Sequence, residues 1–193
     1  MSGMDPERGA GSVRGAGPVP GAYPGIRIGQ GVDVHAFADD ADRPLVLCGI
    51  EVPGGPGLAG HSDGDAGLHA IADALLGAAA LGDLGSRFGV DRPETAGADS
   101  AALLAEVVAD VAAAGWAVGN LDVTLVAQRP RLAPHREAMR ARVAEVCHLD
   151  VGAVSVTFTT TDHLGAVGRG EGIVGLAVCL LVRSQGWATG LQG

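Results

Sequence analysis

Asp33 and His35 stand two residues apart in the stretch Ile26–His35, which reads as a strand. Period-two geometry sends both side chains to one face. Downstream, Asp65, His69 and Asp73 recur at intervals of four within Ser62–Leu81, an Ala/Leu-rich helix pattern, so the three share one helical face. A carboxylate with two imidazoles is a reasonable ligand set for zinc, with the fourth tetrahedral position left to substrate. An Asp-x-His pair alone arises often by chance and carries little weight. Asp65 also reads as a helix-start residue, favoured by capping (Ser62-x-x-Asp65 has the capping-box spacing) and by the helix dipole. Asp73 reads equally well as a solvated residue on an exposed face.

Two further segments have the chemistry to hold phosphate. His61-Ser62 precedes the helix, where free backbone N–H groups attract anions, although Ser62 is also an ordinary helix-capping residue. Thr159-Thr160-Thr161-Asp162 follows a strand and leads into a Gly-rich turn, Gly165 to Gly172, that contains Arg169. Hydroxyls, a carboxylate and a guanidinium beside flexible glycines can hold phosphate and a second hard cation. A plain reading of the same residues is a threonine-rich strand ending in a loop. Gly29-x-Gly31 lacks the third glycine and the strand–turn–helix context of a dinucleotide site. No Ser–His or Cys–His pair suggests a nucleophile. All 13 basic residues are Arg, which excludes Schiff-base and P-loop lysine chemistry.

These residues need elements to position them. Pro44–Val52 has β character, Ser100–Ala114 repeats apolar residues at helical spacing and stops at Gly115, and Ala117–Ala127 reads as a strand. Pro134–Cys147 reads as an Arg-rich amphipathic helix, and Val154–Thr160 and Gly172–Val182 supply the last strands. The alternation predicts an α/β (α+β) class: a mixed sheet with helices packed on one face. Met1–Gly25 holds seven Gly and four Pro with few branched apolar residues, so it is expected to be a disordered extension. Ser184–Gly193 is expected to be a short tail, which leaves one ordered domain at residues 26–183.

The 193 residues are 47% hydrophobic but only 3% aromatic, so Ala, Val, Leu and Ile must build the core. A net charge of −9 argues against a nucleic-acid partner and means that phosphates must be met by metals or local arginines. Cys48, Cys147 and Cys179 show no C-x-x-C spacing and read as reduced thiols of a cytoplasmic chain. The longest apolar runs, such as Ile173–Val182, are half the roughly 20 residues that a membrane span needs. No continuous apolar segment near the N-terminus suggests a secretory signal.

In order, Gly31-Val32-Asp33-Val34-His35, His61-Ser62-Asp63-Gly64-Asp65 with His69, Ala80-Leu81-Gly82-Asp83-Leu84-Gly85, Asn120-Leu121-Asp122-Val123-Thr124, Thr159–Asp162 and Gly168-Arg169-Gly170-Glu171-Gly172 closely resemble the 2-C-methyl-D-erythritol 2,4-cyclodiphosphate synthases. The resemblance spans Ile26–Val182. It implies an enzyme of non-mevalonate isoprenoid biosynthesis in which a 2-phosphate attacks the β-phosphorus of its own CDP group, releasing CMP. It also implies a homotrimer with sites between subunits, a zinc or similar divalent ion at Asp33, His35 and His69, and Mg²⁺ or Mn²⁺ near Asp162. His61 and Thr160 match positions that steady the transferring phosphoryl group. Asp83 and Gly85 match contacts to the methylerythritol, and Ala127 through Ala133, including Pro130, Arg131 and Leu132, match the loop that holds cytidine and its phosphates. Ser62, Phe88, Thr159, Thr161, Ala166 and Arg169 match further substrate positions, as do the ligands Asp33 and His35.

The chain also departs from the family pattern. Phe88-Gly89-Val90-Asp91-Arg92-Pro93 replaces a more acidic Phe-Pro-Asp-Thr-Asp-Pro, and Gln30 stands where histidine is common. Ala166 and Leu176 fall where many members carry Phe and Glu around the trimer axis, with Arg169 retained. Arg131 replaces a usual lysine, and Asp162 replaces a usual glutamate, one methylene longer.

Overall fold

The computed structural model describes residues 25–60, 62–89 and 99–184. The expected N-terminal extension and C-terminal tail, apart from Gly25 and Ser184, lie outside the described residues, as do His61, Asp91 and Arg92.

Among the described residues, six strands and five α-helices follow in the order β1 (Ile26–Ala36), β2 (Val46–Leu47), β3 (Ile50–Glu51), α1 (Ala66–Ala79), α2 (Leu84–Phe88), α3 (Ser100–Ala113), β4 (Trp116–Val126), α4 (Arg136–Val146), β5 (Val154–Thr159), α5 (Gly165–Gly168) and β6 (Gly172–Arg183). The main sheet has the order β1-β6-β4-β5. β6 runs antiparallel to both β1 and β4, and β4 runs parallel to β5. The mixed sheet with helices is the expected architecture. Its topology brings the C-terminal ends of β1, β4 and β5 to the same end as the start of β6.

The sheet has two unlike faces. Gly29, Gly31, Asp33 and His35 alternate with Ile28, Gln30, Val32 and Val34, and the first set turns toward α1. α1 is nearly all buried, including Leu68, Ile71, Leu75 and Leu76. Each such side chain contributes about 2 kcal/mol on leaving water. Leu104, Val107 and Val111 of α3, with Met139 and Val143 of α4, complete the core.

The seat of α1 is made of glycine. A Cβ on Gly29, Gly31 or Gly175 would collide with the carbonyl oxygen of Ala74, Ala70 or Ala66, respectively. Alanines spaced by four along the helix thus ride directly on sheet backbone. Gly29-x-Gly31 serves this close approach, which accounts for the missing nucleotide-loop context.

Local reading and structure differ at several places. The β character of Pro44–Val52 resolves into a hairpin, β2–β3, turning at Cys48 and Gly49 with φ of 51° and 72°. Positive φ at both central residues fits the tight turn that follows the twist of paired strands. Helix α1 starts four residues later than Ser62, because Asp65 caps it by accepting from the backbone N–H groups of Gly67 and Leu68. The anticipated Ser62–Asp65 capping box is absent. Ser62 instead accepts from the N–H of Gly64. Pro134–Cys147 begins as a 3-10 turn, Ala133–His135, before α4 proper. Helices α2 and α5 were not anticipated. Asp83 and Ser86 form a reciprocal capping box for α2.

Candidate metal centre and nucleotide pocket

Strand β1 presents Asp33 and His35 to α1, and α1 returns His69 one turn beyond its cap. One Asp33 oxygen, Oδ2, lies 2.8 Å from His35 Nε2 and 3.1 Å from His69 Nδ1. The two ring nitrogens are 3.2 Å apart. Burial opposes the Asp33 anion, yet hydrogen bonds and charge from His35 and His69 hold its carboxyl well below the usual range. The bond from Asp33 raises the His35 imidazole above its ordinary value, against the effect of burial.

The donor set fits a divalent ion. In a tetrahedral zinc site with bonds of about 2.0–2.1 Å, neighbouring ligand atoms lie about 3.3 Å apart, within about half an ångström of every separation at this triad. These are the only three His, Cys, Asp or Glu residues among the described ones whose ligand atoms converge in this way. His35 Nδ1 lies 2.6 Å from the Ala59 carbonyl oxygen, which accepts its proton and leaves Nε2 bare toward the cluster.

The other two acids on the His69 face have different tasks. Asp65 is fully buried and accepts from the N–H groups of Cys48, Gly49, Gly67 and Leu68, clamping the β2–β3 turn to the start of α1. Burial pushes its carboxyl up and the backbone donors oppose that. Asp73 is half-buried rather than solvated, and accepts from the N–H of Leu84 at 2.7 Å, tying α2 to α1. Burial raises its carboxyl, against the Leu84 bond.

A cavity of about 300 Å³ opens between the ends of β4 and β5, lined by Ala127–Ala133 with Phe158, Thr159 and Thr160. It gathers the sequence-predicted nucleotide loop and two of the threonines. Arg131 and Ala133 are exposed, while Ala127 and Leu132 are buried. The following loop is braced internally. The backbone N–H of Asp162 donates to Thr160 Oγ1, Thr161 Oγ1 donates to the Leu164 carbonyl, and the N–H of His163 donates to Gln128 Oε1. Asp162 and His163 both have positive φ, 48° and 64°, a backbone conformation uncommon outside glycine and often found at functional loops.

Asp83, Gly85 and Phe88 belong to α2 and its cap. The Asp83 carboxylate accepts from the Ser86 N–H at 2.6 Å through one oxygen, and these bonds lower its pKa. Arg169 forks onto Glu171 at 2.6 and 3.2 Å, and Ala166 lies in α5. A larger cavity, about 670 Å³ beside the open edge of β5, is lined in part by Asn120, Leu121 and Asp122 of the resemblance motif but by none of the candidate metal or substrate residues. The three cysteines are free and buried, and burial raises their thiols, Cys147 to about 12, so none is poised as a nucleophile. No helix among the described residues is long and apolar enough to cross a membrane.

Sequence reasoning missed Asp63 and Ser100. Ser100 Oγ lies 2.9 Å from His69 Nε2 and makes a short hydrogen bond to Asp63. Asp63 lies within His61-Ser62-Asp63-Gly64-Asp65, but nothing local links it to a serine 37 residues away.

The YgbB family model matches residues 26–182. The chain belongs to the YgbB family. Among curated YgbB-type relatives, the 2-C-methyl-D-erythritol 2,4-cyclodiphosphate synthase of Chromobacterium violaceum is 57% identical over 158 residues, covering 82% of this chain and 99% of that one. The enzyme of the same name from Haemophilus influenzae (strain PittEE) is 51% identical with the same coverage. Among solved structures, a 2C-methyl-D-erythritol-2,4-cyclodiphosphate synthase in a CDP-bound form matches with a TM-score of 0.73 at 37% identity, covering 80% and 99% of the two chains. The bifunctional IspDF of Campylobacter jejuni matches with a TM-score of 0.78 at 37% identity. The match covers 82% of this chain and 42% of that longer protein.

Proposed function

We propose that this YgbB-family chain catalyses the reaction for which its curated relatives are named. In 4-diphosphocytidyl-2-C-methyl-D-erythritol 2-phosphate, a 2-phosphate oxygen attacks the β-phosphorus. The bond from that phosphorus to the oxygen bridging it to the α-phosphorus breaks, and that oxygen leaves with CMP. The product, 2-C-methyl-D-erythritol 2,4-cyclodiphosphate, is an intermediate of non-mevalonate isoprenoid synthesis. The observation that carries this reading is the convergence of Asp33, His35 and His69 at the sheet end where the Ala127–Ala133 pocket opens.

The nucleophile is a phosphate already ionised at neutral pH, so no strong general base is needed. Phosphoryl transfer asks the protein for alignment and for neutralisation of charge on oxygen. A zinc or similar ion held by Asp33, His35 and His69, and a Mg²⁺ or Mn²⁺ bound with the diphosphate near Asp162, would supply positive charge that a protein of net charge −9 lacks. Ala127, Pro130, Arg131, Leu132 and Ala133 hold the cytidine diphosphate end, with Arg131 as its long cation. Thr159, Thr160 and Thr161 offer hydroxyl and backbone donors, and Thr160 steadies the transferring group together with His61. Asp83, Gly85 and Phe88 meet the methylerythritol from the α2 cap. Ser62, Ala166 and Arg169 border the same end.

A homotrimer with sites between subunits fits the outer sheet face. An antiparallel face left to water is normally polar, yet Ile28, Val32, Val34 and Val178 are 72%, 51%, 63% and 44% exposed. Within one chain, β1 and β5 are three strand spacings apart, roughly 14 Å. A second copy packed on the apolar face would bring its own nucleotide loop to the first copy's triad. The reading places the enzyme in the cytoplasm, in keeping with three unpaired thiols.

The test is incubation with the CDP-methylerythritol phosphate and Mg²⁺, followed by phosphorus NMR. The expected outcome is CMP together with a cyclic diphosphate. CMP accompanied by the acyclic 2,4-bisphosphate would mark a hydrolase instead.

A further inference from the structure

His69 directs its two ring nitrogens to different neighbours. Nδ1 faces Asp33 Oδ2 at 3.1 Å and His35 Nε2 at 3.2 Å. Nε2 faces the hydroxyls of Ser100 at 2.9 Å and Ser62 at 3.2 Å. The direction of the Ser100 hydroxyl is set by its other partner. Its oxygen makes a short hydrogen bond to Asp63 Oδ1, and a carboxylate only accepts, so the Ser100 proton points to Asp63. Ser100 therefore offers Nε2 nothing but a lone pair. Ser62 Oγ already accepts from the Gly64 N–H at 3.2 Å and has a second lone pair to offer. The network thus assigns the His69 proton to Nε2 and leaves Nδ1 bare toward the triad.

We propose that Asp63 and Ser100 are positioning residues for the metal: an Asp63–Ser100–His69 relay that fixes the tautomer and ring plane of a ligand contributed by α1. The inference rests on the reading of Asp33, His35 and His69 as metal ligands. Its logic mirrors that of His35, where a backbone carbonyl fixes the opposite tautomer, but here the acceptor comes from another helix. Ser100 is the first residue of α3 and is almost wholly buried. Asp63 also accepts from the Ser100 and Asp65 N–H groups, so its carboxylate is held on three sides. Hydrogen bonds to the far nitrogen of a ligating histidine orient it and raise its basicity, and losing them typically weakens metal affinity about 10- to 100-fold.

Ser100→Ala deletes the hydroxyl but keeps the Ser100 N–H that bonds to Asp63, which separates relay from helix docking. Zinc affinity is read by competition with a chelating dye, for native chain, Ser100→Ala and His69→Ala, alongside the melting temperature of each metal-free protein. Ser100→Ala is expected to bind zinc about 10- to 100-fold more weakly while melting within a few degrees of native. Long-range proton–nitrogen NMR of the metal-free native chain is expected to find the His69 proton on Nε2 and the His35 proton on Nδ1. Native-strength zinc binding by Ser100→Ala, or a His69 proton on Nδ1, would overturn the relay and leave the metal site standing. Zinc binding that His69→Ala leaves unchanged would overturn the metal site, and the relay with it.

Discussion

Gly31 lies directly under the carbonyl of Ala70, so close that a Cβ on the strand would overlap the helix oxygen. Strand β1 contributes Asp33 and His35 to the triad and helix α1 contributes His69, and this contact sets the separation of the two elements. Gly31→Ala is therefore expected to force α1 off the sheet, at a cost of about 3 kcal/mol, the upper range for overpacking a rigid core. Because His69 is one residue from Ala70, zinc content should fall together with the urea midpoint. A variant with native midpoint and native zinc would show that the helix yields freely.

Asp65 joins two elements that are remote in sequence. Asp65→Ala removes the α1 cap and leaves the buried N–H of Cys48 and the half-buried N–H of Gly49 without their carboxylate acceptor. The expected loss is about 2–4 kcal/mol, from a cap worth about 1 and orphaned donors worth about 1–3. Asp65→Asn, which keeps one acceptor oxygen, should lose less. Denaturant unfolding of both variants is the check.

The two proposed metals can be separated. His69→Ala is expected to give folded, zinc-free, inactive protein, since a neutral imidazole is lost from the triad. Asp162→Asn is expected to retain about one zinc per chain while losing most CMP release, with extra Mg²⁺ restoring little, because phosphates complete the oxygen shell of a hard cation bound at one carboxylate. Metal analysis beside CMP release decides it. Zinc-free Asp162→Asn protein, or full activity in it, contradicts the division.

The Asp33–His35 pair gives a pH signature in the metal-free protein. The His35 pKa is raised above 6.5, so its stabilisation is complete below 6.5 and is lost as pH rises through the raised value. The Asp33 pKa is lowered below 3.8, so its stabilisation is complete above 3.8 and is lost as pH falls through the lowered value. This pair's contribution should therefore be greatest between 3.8 and 6.5 and decline above 6.5. Zinc affinity should move the opposite way, rising with pH through the His35 transition as the metal displaces its proton. Melting curves and zinc titrations over the same buffers test both signs.

Arg131 is exposed at the mouth of the pocket formed by Ala127–Ala133. Its fork suits two phosphate oxygens at once. Arg131→Ala is expected to raise the apparent KM and weaken CDP binding about tenfold, one charge-assisted hydrogen bond's worth. Calorimetry with CDP giving native affinity would remove Arg131 from the pocket.

What the sequence determined by itself was periodic or contiguous. Alternation put Asp33 and His35 on one face of β1, spacing by four put His69 in register with Asp65 and Asp73, and a contiguous loop carried Ala127–Ala133. Strand and helix repeats need only a few neighbouring residues to be legible. Only the tertiary structure decided what those side chains meet. Asp65 turned out to clamp a hairpin, Asp73 to hold α2, and Gly29, Gly31 and Gly175 to seat α1. The Cys48–Gly49 turn was not legible within the β-type stretch Pro44–Val52, because its N–H groups are held by an acid 17 and 16 residues away. Ser100 reached His69 across 31 residues for the same reason: the contact is made by the docking of α3 against α1, and no local pattern encodes the angle at which two helices meet.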